Sequence, residues 1–183
     1  FLFTKSFAIE NTEIKSIIAG SENAKIEILV YESLTCPHCA DFHKKVYPDL
    51  KKNFIDSGLV KIEFKSFPLD MAALNASKIA HCKNDGKPDI LHFLFYNQNK
   101  WTKGENIEQI NSNLKTILKK KNFGIDFKKC INNTKIEDHI LEGRIKSVKK
   151  FEINSTPTLI INNKKFDKPL TYKNLKKAIE KLI

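Results

Sequence analysis

Arginine is almost missing from this strongly basic chain. Its 183 residues carry 32 Lys plus Arg against 21 Asp plus Glu, a formal charge of +11, and Arg144 is the sole arginine. Arginine supplies the planar, bidentate contacts to phosphate and guanine, and the lysines are scattered along solvated faces rather than grouped with aromatics. Nucleic-acid binding is therefore set aside. The richness in Lys, Asn and Ile reads as the bias of an AT-rich genome. Long apolar runs are also absent, and none approaches the roughly 20 residues that cross a bilayer. No basic start followed by an apolar stretch marks a signal peptide; in an exported protein, Phe1-Leu2-Phe3 would be a mature end. No repeat or low-complexity linker divides the chain. With 41% hydrophobic residues it can build a core that does not depend on disulfides. Its length suits one large domain, or a core domain with an insertion.

What is present is concentrated in Cys36-Pro37-His38-Cys39. The motif follows a β-like run, Lys25 to Glu32, and opens an amphipathic stretch in which Phe42, Val46, Leu50 and Phe54 share one helical face. Two cysteines at a strand-to-helix junction have the spacing of a reversible dithiol/disulfide pair. Cys36, at the helix N-terminus, lies where free N–H groups and the helix dipole stabilise a thiolate, which makes it the nucleophile. Cys39, one turn inside, is the resolving partner. His38 between them can add a donor or partial positive charge beside the Cys36 sulfur. A stabilised thiolate favours the dithiol and makes the disulfide a better oxidant. A structural disulfide, or half of a zinc site, is the other reading of the pair, though neither needs Pro-His at a helix start.

The periodicity around the motif gives an order of elements. Residues 1–24 read as an extended lead-in and a short helix over Thr12 to Ala19, closed by Gly20. After the first strand and the helix, which runs to about Asp56, Leu59 to Phe67 alternates as a second strand. Helical patterns follow over Ala72 to Cys82, Asp89 to Tyr96, Glu105 to Lys121, Phe127 to Ile131 and Lys135 to Phe151. Thr158 to Ile161 and Lys164 to Phe166 form a hairpin about Asn162-Asn163, and a final helix carries Leu175, Ala178, Ile179 and Leu182. The order is βαβ, a helical block, then ββα.

This order, with Cys36-Pro37-His38-Cys39 at the first helix and Ser155-Thr156-Pro157-Thr158 before the third strand, resembles the thioredoxin fold. The tetrapeptide and the helical block resemble the DsbA family of thiol oxidoreductases. The resemblance runs from about Gly20 to Ile183. It implies an α/β thioredoxin fold, a βαβ…ββα mixed sheet with an inserted α-helical domain, divided as 1–70 plus 135–183 and 71–134. It further implies a cis Thr156-Pro157 bond facing the dithiol, with Thr156 main-chain groups open to an extended substrate. The threonine hydroxyl would bear on the redox balance. Because isomerases of the related DsbC type also carry Thr there, isomerisation stays open beside oxidation.

The resemblance also implies export to the periplasm or a similar compartment. Its substrates would be reduced, unfolded exported proteins, its reoxidant a membrane quinone-linked DsbB-type partner, and its state monomeric, with no cofactor beyond the Cys36–Cys39 disulfide and no metal. Four cysteines in an exported chain suggest two bridges, which leaves Cys82 with Cys130, as in DsbA-like proteins with a second disulfide in the insertion. Two buried free thiols are the alternative. Relatives of the fold often carry a buried acid on the first strand where this chain has Val30; Glu32 lies on the same strand face and is a candidate proton carrier. An ion pair with a nearby lysine is its plainer role. His43 reads as a packing residue, His81, His92 and His139 as helix-face residues, and Trp101 as a core cap in a loop. A metal-binding protein holding zinc or copper by Cys36, Cys39 and His43 is the reading from a different class.

Overall fold

The computed structural model describes residues 13–183, and the lead-in expected over residues 1–12 lies outside them. Seven-residue strand β2 (Ile26–Glu32) forms the centre of a five-stranded sheet. Strand β3 (Val60–Ser66) runs parallel to it on one side, with Val30 opposite Phe64. On the other side β4 (Thr158–Ile161) is antiparallel, Val30 facing Leu159, and β5 (Lys164–Lys165) continues the sheet from β4. The hairpin turns at Asn162 and Asn163, both at positive φ (44° and 65°), the geometry in which asparagine is favoured. The sheet is mixed, in the order β1-β3-β2-β4-β5.

Edge strand β1 (Ile17–Ala19) stands where a helix was expected over Thr12 to Ala19. Ile14, Ile17 and Ile18 have helical spacing, but β3 offers an unpaired edge. Ile17 to Ala19 take it, antiparallel to Phe64, Glu63 and Ile62. Tertiary pairing outweighs a short local periodicity here. Gly20 then turns the chain at φ +106°, and a Cβ there would lie 2.5 Å from the Val60 carbonyl oxygen.

Between β2 and β3 the helical segment is not uniform. Helix α1 (Pro37–Asp41) passes into a π turn (Phe42–Val46), then α2 (Tyr47–Leu50), then a second π turn (Lys51–Ile55). The i→i+5 bonds are Tyr47 N–H to the Phe42 carbonyl and Asp56 N–H to that of Lys51. A strict four-residue spacing overshoots an α-turn by about 40° at each step, so Phe42, Val46, Leu50 and Phe54 would spiral off one face of a plain helix. The wider π turns take back that drift, and all four are buried.

The chain then enters α3 (Met71–His81), α4 (Asp89–Tyr96), α5 (Gln98–Trp101), α6 (Ile107–Lys119), α7 (Phe127–Ile131) and α8 (Thr134–Phe151); α9 (Tyr172–Glu180) closes it. Asp70, Asn106, Asp126, Asn133 and Thr171 cap five of these helices, each side chain accepting a first-turn N–H. Trp101 lies in α5 rather than a loop, fully buried, its Nε1–H donating to the Leu94 carbonyl at 2.9 Å. It belongs to one continuous apolar cluster that also holds Ile28, Val30, Phe64 and Leu114, so the helices and the sheet share a core. Cys82, capping α3, is bonded to Cys130 in α7 across 48 residues, with the Cα atoms 5.4 Å apart.

Candidate active site

Cys36 is the N-cap of α1 in extended conformation (φ −75°, ψ 121°), with no side-chain capping bond of its own. The sulfur takes the place a capping oxygen would have, and the backbone N–H groups of His38 and Cys39 turn toward it. Cys36 and Cys39 are both present as thiols. Cys36 is 8% exposed and Cys39 is fully buried, so an incoming sulfur reaches Cys36 first. Pro37 and His38 are exposed beside them.

The two thiols are driven apart in acidity. The Cys36 thiol is lowered to about 5, first by the hydrogen bond from Cys39 and further by Thr156 and the two backbone N–H groups, against the opposing effect of burial. Cys39 is raised far above an ordinary thiol, by burial first, then by its bond to Cys36 and the nearby Glu32 charge. One sulfur is a thiolate at neutral pH and the other keeps its proton.

The Thr156–Pro157 bond is cis. This loop leads into β4, next to β2, and so stands opposite the N-terminus of α1. Cys36 Sγ lies 3.4 Å from the Thr156 carbonyl oxygen, to which it donates in its protonated form. The Thr156 hydroxyl is buried without another protein partner among the described residues. His38, Asp41, Phe42, Lys45, Thr156, Pro157 and Leu170 line a cleft of about 430 Å3 beside the sulfur.

Two further residues hold the loop that presents Cys36. Gln98 in α5 is buried, and its Nε2 donates both to the Leu34 carbonyl (2.8 Å) and to that of Cys36 (2.9 Å). Asp70 accepts from the Thr35 hydroxyl at 2.7 Å while its other oxygen caps α3. The start of α3 and α5 thereby hold the dithiol loop in place. Neither residue has a sequence signal beyond ordinary helix capping at Asp70.

Among the described residues Glu32 pairs with no lysine. It is 3% exposed at the end of β2, and its Oε2 lies 2.7 Å from His43 Nε2. Burial first, and then the Cys36 charge, push its carboxyl well above the usual carboxylate range. His43 Nδ1 in turn lies 2.9 Å from His92 Nδ1 in α4. Both rings are pushed down to about 3 by burial, with the neighbouring His43 adding to the effect on His92. His43 also packs as expected, stacked on Phe95 at 4.1 Å. With both of its nitrogens engaged, His43 is not free to join Cys36 and Cys39 around a metal. His92 is no plain helix-face residue. The available signal was a histidine inside an apolar run, Ile90-Leu91-His92-Phe93-Leu94-Phe95. His81 pairs with His139 at 5.6 Å between centroids and lies within hydrogen-bond reach of Ser66, remote from the dithiol loop.

Comparison with known proteins agrees with this geometry. A family model described as Thioredoxin matches residues 12–181. The crystal structure of alpha-DsbA1 from Wolbachia pipientis superposes with a TM-score of 0.82, at 30% identity over 91% of this chain and 90% of that one. DsbA of Chlamydia trachomatis, at 20% identity, shares the fold with a TM-score of 0.71 over 98% of this chain and 97% of that one. A Rickettsia bellii protein named as a protein-disulfide oxidoreductase is 26% identical over 165 residues, 87% of this chain and 61% of the relative. The chain thus spans about three fifths of the length of that relative. On the family match across nearly all its length and the 30% identity to a DsbA structure, the chain belongs to the DsbA family of thioredoxin-fold proteins.

Proposed function

We propose that the protein is a thiol–disulfide oxidoreductase that introduces disulfides into reduced, unfolded proteins of an exported compartment, the periplasm in a bacterium with two membranes. The observation that carries this reading is the split acidity of the pair: Cys36 lowered to about 5 and Cys39 raised. A protein that stabilises the Cys36 thiolate stabilises its own dithiol form, so its disulfide gives up oxidising equivalents readily. A weakly basic Cys36 is also the better leaving group when a mixed disulfide is released.

In the forward reaction a substrate thiolate attacks the Cys36 sulfur of the Cys36–Cys39 disulfide. The bond breaks toward Cys39, which leaves with the electron pair and takes up a proton. Glu32, buried beside the pair with its carboxyl pushed well above the usual carboxylate range, is the nearby acid. A second substrate thiolate then attacks the mixed disulfide at the substrate sulfur, and Cys36 leaves as a stabilised thiolate. The substrate gains a disulfide and the protein is left as a dithiol. An extended substrate docks in the cleft beside Thr156 and Pro157, against the backbone of that loop. Reoxidation by a membrane quinone-linked partner of the DsbB type closes the cycle, and the chain works as a monomer without a bound cofactor.

The test is reoxidation of reduced, denatured ribonuclease by the disulfide form in stoichiometric amounts. Activity should return faster than with glutathione disulfide, and Cys36→Ser should abolish it. Cys39→Ser should trap a Cys36–substrate mixed disulfide visible by mass. Ribonuclease that stays reduced in the presence of the wild-type disulfide form would overturn the oxidase reading. Scrambled ribonuclease resolved faster than reduced ribonuclease is oxidised would put isomerisation in its place.

A further inference from the structure

Glu32, His43 and His92 come from three different elements, the end of β2, the first π turn and α4, and meet in one unbranched chain of hydrogen bonds: 2.7 Å from Glu32 to His43 and 2.9 Å from His43 to His92. Its interior is aromatic, with His43 fully buried among Phe42, Tyr47, Phe64 and Phe95. Its two ends are alike. Glu32 Oε1 at one end and His92 Nε2 at the other are buried polar atoms that bond to no protein group among the described residues. A polar chain placed in a core for stability alone would have its ends satisfied, since each unpaired buried group costs about 1–3 kcal/mol. Glu32 and His43 are buried, at 3% and 0% exposure, and only His92 at the far end is partly exposed.

We propose that His43 and His92 form a proton path between Glu32, beside the buried Cys39, and the α4 surface. The path rests on the oxidoreductase reading, because only thiol exchange at Cys39 requires a proton to enter and leave this part of the core. A neutral imidazole donates from one nitrogen and accepts at the other, so two in series pass a proton by exchanging tautomers, with no charged intermediate buried. The depressed basicity of both rings keeps them neutral at physiological pH.

The balance is complete for the resolving step. The proton from Cys39 reaches Glu32 Oε1 while Glu32 Oε2 passes its own to His43 Nε2; His43 Nδ1 passes one to His92 Nδ1, and His92 Nε2 gives one up to water reaching it from the α4 face, where His92 is partly exposed. The electron pair left on Cys39 forms the bond to the Cys36 sulfur, and the bond from Cys36 to the outgoing thiol breaks with its pair on that thiol. Every group in the path carries the same charge after the step as before it. Uptake of a proton when the disulfide is reduced runs the same steps backward. His43 and His92 are positioning residues for Glu32 and touch no substrate.

The experiment isolates resolution. The dithiol form is mixed with glutathione disulfide, and release of glutathione from the Cys36–glutathione mixed disulfide is followed by rapid quench and mass spectrometry. General acid–base assistance is typically worth 10²-fold or more; with Glu32 retained, His92→Ala and His92→Phe should each slow release about tenfold, while thermal unfolding confirms that they fold. Added imidazole should restore His92→Ala in a concentration-dependent way and leave His92→Phe, whose ring fills the space, slow. A folded variant that resolves at the wild-type rate overturns the path, as does imidazole that speeds neither variant or both equally. Should neither variant fold, the wild-type rate in mixtures of H2O and D2O decides: a curved dependence on deuterium fraction marks several protons in flight, and a linear one overturns the path. A wild-type chain that never forms the mixed disulfide overturns the oxidoreductase reading and the path with it; one that reacts normally while the variants keep pace overturns the path alone.

Discussion

Gln98→Leu is the substitution that most sharply tests how the insertion supports the dithiol. The side chain is 8% exposed and donates two hydrogen bonds, 2.8 Å to the Leu34 carbonyl and 2.9 Å to that of Cys36. Leucine has nearly the same length and no donor. The Cys36 carbonyl keeps a second partner, the Ala40 N–H at 3.2 Å. Leu34 then loses its partner and its carbonyl stays buried, at a cost of about 1–3 kcal/mol, with about 1 kcal/mol more for the bond lost at Cys36. The apolar gain of leucine offsets part of this, leaving a loss of about 2 kcal/mol, or roughly 4–8 °C in Tm for a chain of this size. Thermal and urea unfolding of the dithiol and disulfide forms would measure it. The sign is checked by Gln98→Glu, whose carboxyl can donate only when protonated. Facing two carbonyls, its folded pKa is raised, so its contribution is fully present below the ordinary carboxylate value of about 4.3 and is lost as pH rises through the folded pKa. Gln98→Glu should therefore approach wild-type stability in acid and fall away toward neutrality. A Gln98→Leu protein within about 0.5 kcal/mol of wild type, or a Gln98→Glu deficit that does not depend on pH, would refute the reasoning.

Removing the Cys82–Cys130 bond by Cys82→Ala with Cys130→Ala should cost up to about 4 kcal/mol by the loop-entropy model, given its 48-residue span; chemical denaturation that shows a loss below about 1 kcal/mol would contradict that. Gly20→Ala places a Cβ 2.5 Å from the Val60 carbonyl oxygen at φ +106° and should cost about 1–3 kcal/mol, seen as a lower urea midpoint; an unchanged midpoint would show that β1 shifts freely. The stability of the dithiol form relative to the disulfide form should depend on pH, because the Cys36 thiol, lowered from 9.0 to about 5, titrates only in the dithiol. That contribution is complete above about 9 and is lost as pH falls through about 5, so the advantage of the dithiol form shrinks on acidification across this window. Paired unfolding curves of the two redox forms would show a constant gap if Cys36 were an ordinary thiol.

The strand-to-helix junction and the order of elements were legible because they are local. Cys36 to Cys39, the alternation of β3, the asparagine turn at Asn162-Asn163 and the bounds of α4 and α7 are each written in a short run of residues. What was not legible is set by partners distant in sequence. Strand β1 has helical spacing in its isoleucines and is a strand only because β3 has a free edge. Trp101 reads as a loop residue until α5 forms around it and the Leu94 carbonyl takes its N–H. Glu32, placed by sequence in an ion pair with lysine, instead meets His43, which follows it by 11 residues, and through it His92, a further 49 residues along. Gln98 reaches back 62 residues to Cys36. In each case the buried polar group found a partner that tertiary packing supplied, and no periodicity records such a pairing.

This fold holds Cys36 as a thiolate while Cys39 keeps its proton. Titrating the ultraviolet thiolate absorbance of the dithiol form, with Cys36→Ser as the blank, measures it directly. A single transition near pH 5, lost in the blank, is expected. A transition at the ordinary thiol value of about 8.5 would contradict it.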